Sequence, residues 1–234
     1  MPGMIEHLFF NSSIYKNLRE RPGTKLYKNG NLKIGKMKLV RDDFMLSGIL
    51  PDLAREQDLA HFKVESEEVP GLNLPDLELA ERWLPKKIGW SVGRGVYAHL
   101  YLDYHFFVDF LKPRYKWSLE TNGTVQNLQT GQVFSAEQFF SSMGLYSAYG
   151  ELNEVILDRG LLDVEAIREL PTDRLPKTYL DVIDFVDEQP WREQFEEYLT
   201  HRLPRTDRIF SVEEYLEFSA KMARRCAAEM LQVE

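Results

Sequence analysis

This sequence predicts an all-α, mainly helical single domain with one small β-hairpin excursion, and three observations carry that expectation. Apolar residues recur at helical spacing through the longest regular stretch, Val96 to Leu111. Turn dipeptides set between short β-prone pieces gather in one place, Asn122-Gly123 and Thr130-Gly131. No internal repeat and no low-complexity tract is present, so solenoids and long linkers drop out.

In chain order, the first helix is expected over Met4 to Leu18, stopping before Arg21-Pro22-Gly23. Lys25 to Val40 is basic, with Asn29-Gly30 as a turn signal, and reads as an irregular loop or short hairpin. An apolar run, Phe44 to Leu50, ends at Pro51-Asp52. Leu77 to Leu84 reads as a short helix closed by Pro85, and Gly93-Arg94-Gly95 introduces the helix Val96 to Leu111, which Pro113 terminates. Trp117 to Phe134 is the hairpin or meander. Helix resumes at two capping boxes, Ser135-Ala136-Glu137-Gln138 and Ser211-Val212-Glu213-Glu214. Between them Pro171, Pro176, Pro190 and Pro204 cut the chain into short helices.

Hydrophobic residues make up 44% and charged residues 28% of the 234, an ordinary globular composition that argues against disorder. No apolar run approaches the ~18 residues that span a bilayer, and the start has no basic n-region, so a cytoplasmic chain complete from its first Met is expected. Cys226 is the only cysteine, which excludes an intramolecular disulfide and any thiolate metal cluster; a metal must use His and carboxylate. The net charge of -8 concentrates in Glu151 to Thr200, where 14 acidic residues face 5 basic ones. The bland reading is a solvated acidic surface, and stable binding of long nucleic acid is disfavoured. The sequence assigns no oligomeric state.

The residues that carry chemistry sit in the first half. At about 100° per residue, Val96, His99, Leu100, Asp103, Phe107 and Phe110 fall on one arc, so His99 and Asp103 lie one turn apart on a buried face. A carboxylate there is costly unless paired or metal-bound, and a buried His–Asp hydrogen bond explains the pair as well as a metal does. His105 and Asp109 have the same spacing but project from the opposite side, as surface or packing residues. His7 shares a face of the first helix with Phe10, Ile14 and Leu18, while Glu6, Ser13 and Lys16 lie elsewhere. Asp52 after Pro51, and His61 before Phe62, are unremarkable taken singly.

As an ordered set, His7, Pro51-Asp52, His61-Phe62 and His99-x-x-x-Asp103 resemble the zinc-dependent phospholipase C family, including its intracellular members. The likeness covers Met1 to Trp117, with further support from Tyr149-Gly150-Glu151-Leu152-Asn153. It implies an all-α fold in which Asp52, His61, His99 and Asp103 hold one zinc, with manganese or iron as substitutes, and His7 serves a second ion across bridging Asp103. It also implies a phosphodiesterase of phospholipase C type acting on a small phosphoester or phospholipid, with Asp52 assisting deprotonation of the attacking water. Residues 1–117 are then the metal-site half, 118–134 the hairpin and 135–234 an acidic helical elaboration. The chain departs from secreted members, which use an N-terminal Trp and further downstream His and Glu ligands. Here the start is Met1-Pro2 and His201 is the only later histidine, so one or two ions are expected rather than three. Two competing readings are an HD-like phosphohydrolase, whose defining His-Asp dipeptide is missing, and a non-catalytic helical protein with a structural metal or polar core.

Overall fold

The computed structural model describes residues 3–171, 178–179, 183–184, 189–200 and 209–232. The chain opens with α1 (Met4–Arg19), followed by a three-stranded antiparallel sheet of β1 (Lys25–Leu26), β2 (Leu32–Ile34) and β3 (Met37–Leu39). Helices α2 (Arg41–Ser47), α3 (Leu50–Leu53) and α4 (Gln57–Ala60) come next, then the β4 (Lys63–Glu65) and β5 (Asn73–Pro75) hairpin. Two longer helices, α5 (Leu77–Ile88) and α6 (Trp90–His105), lead into a π-helical segment, Phe106–Leu111. A second three-stranded sheet, β6 (Tyr115–Ser118), β7 (Thr124–Asn127) and β8 (Val133–Ser135), holds the short α7 (Leu119–Asn122) in its first connection. The remainder is α8 (Ala136–Phe139), α9 (Leu145–Asp158), α10 (Val164–Arg168), β9 (Thr178–Tyr179) paired with β10 (Ile183–Asp184), α11 (Gln189–Thr200) and α12 (Val212–Glu229).

Helix therefore outweighs strand severalfold among the described residues, as expected. The single β excursion is a correction: among the described residues, strands form four small antiparallel sheets, and the 118–134 hairpin is part of one of them. Lys25 to Val40 forms a real sheet because Leu32 and Leu39 on one of its faces are fully buried. Period-2 alternation over strands of two or three residues is too short to register in the sequence.

The core helix also differs from its expected bounds. α6 starts at Trp90, so Gly93-Arg94-Gly95 lies inside it. Both glycines are there for close packing. A side-chain carbon on Gly95 would lie 1.9 Å from Ser47 Oγ and 2.3 Å from the Phe44 carbonyl, and one on Gly93 would lie 2.9 Å from the Leu84–Pro85 peptide. Backbone-to-backbone approach of this kind lets α6 sit against α2 and α5. That packing also accounts for Pro85, which lies within α5 instead of closing it; Gly89, at φ 84°, makes the turn.

Because α1, α2, α5 and α12 all pack on α6, it is buried nearly all round, Tyr97, Ala98, Tyr101 and Leu102 as well as the expected arc. Such a helix carries no amphipathic stripe for periodicity to find. Beyond it, the π turn places Phe106 and Phe110 against Phe210 and Tyr215, with ring centroids 5.4–5.9 Å apart. The buried apolar residues run as one cluster from Met4 to Met230.

Ser135 forms the expected capping box. Ser211 is the N-cap of α12, but its side chain accepts no capping bond. Pro176 and Pro204 fall outside the described residues. No helix among the described residues is long and apolar enough to cross a membrane.

Candidate metal centre

Five side chains from three helices and one helix cap converge beside the middle of α6. His7 comes from the second turn of α1, Asp52 from α3, His61 from the C-cap of α4, and His99 and Asp103 from consecutive turns of α6. These are the residues the ordered pattern picked out. His99 Nε2 lies 3.1 Å from His61 Nε2, 3.3 Å from Asp103 Oδ2 and 3.8 Å from Asp52 Oδ1. His61 Nε2 lies 3.4 Å from Asp52 Oδ1 and 3.6 Å from Asp103 Oδ2. His7 Nε2 lies 3.4 Å from Asp103 Oδ1, and its ring stacks on His99 with centroids 3.5 Å apart.

Local sequence explains how each ring is aimed. Gly95 brings α2 close enough for the Gly48 carbonyl at its C-cap to accept the His99 Nδ1 proton at 2.8 Å. Gly48 has no room for a side chain, since Asn11 Nδ2 would be 2.0 Å from it. His61 Nδ1 gives its proton to the Gln57 carbonyl, one turn back, at 2.6 Å, and the Gln57 amide in turn donates to the Asp52 carbonyl at 3.2 Å. Gln57 thus ties α3 to α4. Phe62, next to His61, is the one non-glycine residue of positive φ among those described, at 51°, and it turns the chain away from the cluster.

The hydrogen bonds decide the electrostatics. Carbonyl oxygens only accept, so both Nδ1 atoms carry a proton, and the two Nε2 atoms face each other inside the cluster. The two oxygens of Asp103 have no hydrogen-bond partner among the described residues, although the side chain is only 1% exposed. Three imidazoles and two carboxylates thus aim nitrogen and oxygen atoms at one another in a buried space, a donor set that a cation among them would satisfy. Imidazole Nδ1–H held by backbone carbonyls, with Nε2 aimed inward, is the orienting arrangement of metal-ligating histidines. Donor atoms of His61, His99 and Asp103 lie within 4.8 Å of one another, as do those of His7, Asp52 and His99. His99 is common to both trios, whereas the resemblance gave the shared place to Asp103.

Burial alone would raise the Asp103 carboxyl, but His99 and His7 hold it well below the ordinary carboxylate range. Asp52 follows the same logic more weakly, burial being offset by His99, His61 and His7. Four of the five side chains are at most 1% exposed, and Asp52, at 26%, is the most accessible of them.

Glu6 lies off the His7 face, as its spacing predicts, yet it too is fully buried, because core encloses most of the first two turns of α1. Glu6 Oε2 accepts the Gly3 N–H at 3.0 Å, and the Asn153 amide end lies 3.1 Å from both carboxylate oxygens, which assigns its nitrogen, the only end able to donate, to that side. Burial pushes its carboxyl up to about 8. The only sequence signal was Asn153, in the segment quoted with the resemblance. His105 stays out of the cluster, as expected, but as a buried residue, its Nδ1 bonded to Asp109 at 2.6 Å. Burial lowers its pKa more than Asp109 raises it. His201 lies outside the described residues.

Comparison of the chain with known families, with characterised proteins and with solved structures returns no match. What the cluster does must follow from its own donors. Three nitrogens and two carboxylates with no sulfur suit zinc first, and manganese or iron as alternatives.

Proposed function

We propose that this protein is a metal-dependent phosphoester hydrolase, a phosphodiesterase of phospholipase C type, holding one or two zinc ions on Asp52, His61, His99, Asp103 and His7. The observation that carries the reading is the pair of Nε2 atoms facing each other across 3.1 Å beside a buried carboxylate that meets no close hydrogen-bond donor among the described residues. That arrangement fits a divalent cation better than a polar core does. In a polar core the Asp103 oxygens would take short, well-aligned hydrogen bonds, whereas the nearest imidazole nitrogens stand 3.3–3.6 Å from them.

When bound, zinc supplies an electrophile for a phosphoryl oxygen and lowers the pKa of water. The protein does the rest. Gly48 and Gln57 keep the His99 and His61 rings turned inward, Asp103 neutralises charge within the core, and Asp52 at the solvent edge orients the attacking water and takes its proton. The exposure of Asp52 favours an open, catalytic position over a metal fully ringed by protein, which is the non-catalytic alternative. The substrate class is a small phosphoester or phospholipid head group.

The test is hydrolysis of bis(4-nitrophenyl) phosphate, 4-nitrophenyl phosphate and phosphatidylcholine with zinc or manganese added. Turnover of a diester that Asp52→Asn lowers at least about a hundredfold supports the reading. Metal bound with no turnover of any of the three contradicts it in favour of a structural metal.

A further inference from the structure

Residues 16–41 carry nine Lys or Arg residues against one acidic residue, Glu20, in a chain whose net charge is -8. The metal centre uses none of them. A cavity of about 690 Å³ collects four of these cations: Lys16 and Arg19 from the last turns of α1, Lys28 from the β1–β2 turn, and Arg41 from the start of α2. That volume is in the usual range for a small-molecule site.

The cations are poorly neutralised where they stand. Lys16, Arg19 and Lys28 enter no ion pair among the described residues, and Arg41 meets Asp42 at a long 3.5 Å. The one carboxylate in the wall, Asp163, has an oxygen occupied in capping α10, accepting from the Ala166 N–H at 3.0 Å. The floor is fixed as well. The Tyr15 hydroxyl donates to the Gly30 carbonyl, and Gly30 packs so closely on Arg41 that an added side-chain carbon would meet its Cδ at 2.9 Å. Four cations line one concavity, Lys16, Arg19 and Lys28 exposed on it and Arg41 half-buried, and an anion with several charges would neutralise them together.

We propose that this cavity binds a compact ligand carrying two or more phosphate groups, held by Lys16, Arg19, Lys28 and Arg41. It is a second site: Lys16 and Arg19 lie nine and twelve residues after His7 on the same helix, about 14 and 18 Å along its axis. The inference stands apart from the metal reading and survives its failure.

Isothermal titration with sodium tripolyphosphate tests it, on wild type, Lys16→Ala/Arg19→Ala, Lys28→Ala, and a charge-matched control, Lys86→Ala/Lys116→Ala, whose lysines are exposed elsewhere. Heat arising at the metal centre is common to all four proteins. The expected result is saturable binding that weakens at least about tenfold in the first double variant, by less in Lys28→Ala, and not in the control. No saturable binding by wild type at low salt, or equal weakening in the control, overturns the proposal. Co-sedimentation with phosphatidylcholine vesicles containing one-fifth phosphatidylinositol bisphosphate separates two sources of the same chemistry. Vesicle binding lost in the cavity variants identifies a lipid head group, and tripolyphosphate binding alone identifies a free phosphorylated molecule.

Discussion

His61 and His99 face each other through their Nε2 atoms at 3.1 Å, each with its Nδ1 proton already given to a backbone carbonyl. Neither ring can turn to relieve the contact without breaking its carbonyl bond. A cation shared between them would make the two rings one unit with Asp52 and Asp103. His61→Ala, His99→Ala and Asp52→Asn should each lower metal content by at least about tenfold and diester hydrolysis with it, the latter by at least about a hundredfold in Asp52→Asn. Loss of activity at full metal content in the histidine variants would separate binding from chemistry and break this account of the unit.

His7 should behave differently. It touches Asp103 Oδ1, while His61 and His99 touch Oδ2. If the wild type carries two ions per chain, His7→Ala should carry one; if it carries one, the variant should keep it. Atomic emission on the purified variant reads the number directly.

Gly95→Ala probes the frame that aims His99. The new carbon would sit 1.9 Å from Ser47 Oγ and 2.3 Å from the Phe44 carbonyl, forcing α2 away from α6 and withdrawing the Gly48 carbonyl from His99 Nδ1. The expected cost is about 1–3 kcal/mol in denaturant unfolding. Metal affinity should fall about tenfold or more, although no ligand is altered. Unchanged affinity would mean that the carbonyl does not orient the ring.

Much of this site was legible in the sequence, and the exceptions have physical causes. His99 and Asp103 can be placed one turn apart from spacing alone, and α1 was found to within a residue at its C-terminal end. The burial of Glu6 was not legible, because a helix end enclosed on most of its sides gives periodicity little to detect. The Gly48 and Gln57 carbonyls that orient the imidazoles are backbone groups, invisible in any residue code. Pro85 inside α5 reflects tertiary packing on Gly93, which overrides the local rule for proline.

Glu6 gives a pH signature. Its folded-state pKa, about 8, is above the ordinary 4.5, so folding takes up a proton. The stability tied to the neutral carboxyl is fully present below about pH 4.5 and is lost as pH rises toward 8. Glu6→Gln cannot ionise. In chelator, its stability relative to wild type should therefore improve between pH 5 and pH 9, by on the order of a few kcal/mol. Urea unfolding at both pH values checks the sign, and parallel profiles would show that Glu6 is charged in the folded state.

His105→Ala is the internal control. Its partner is Asp109, and its ring neighbours are Tyr101 and Tyr104, none of them in the cluster. The substitution should cost about 1–3 kcal/mol through a lost buried hydrogen bond and leave metal content unchanged. An emptied site would show that the ligand set is misassigned.

The most direct measurement is metal stoichiometry on protein purified without chelator, wild type beside Asp103→Asn. Asp103 is the carboxylate whose buried oxygens have no hydrogen-bond partner among the described residues, and its approaches to His7, His61 and His99 span 3.3–3.6 Å. The account predicts one or two zinc, manganese or iron ions per wild-type chain, with metal and phosphodiesterase activity lost together in a folded Asp103→Asn protein. Wild type that takes up none of these metals even when they are supplied, or Asp103→Asn and Asp52→Asn proteins that both keep full metal and full activity, would contradict it.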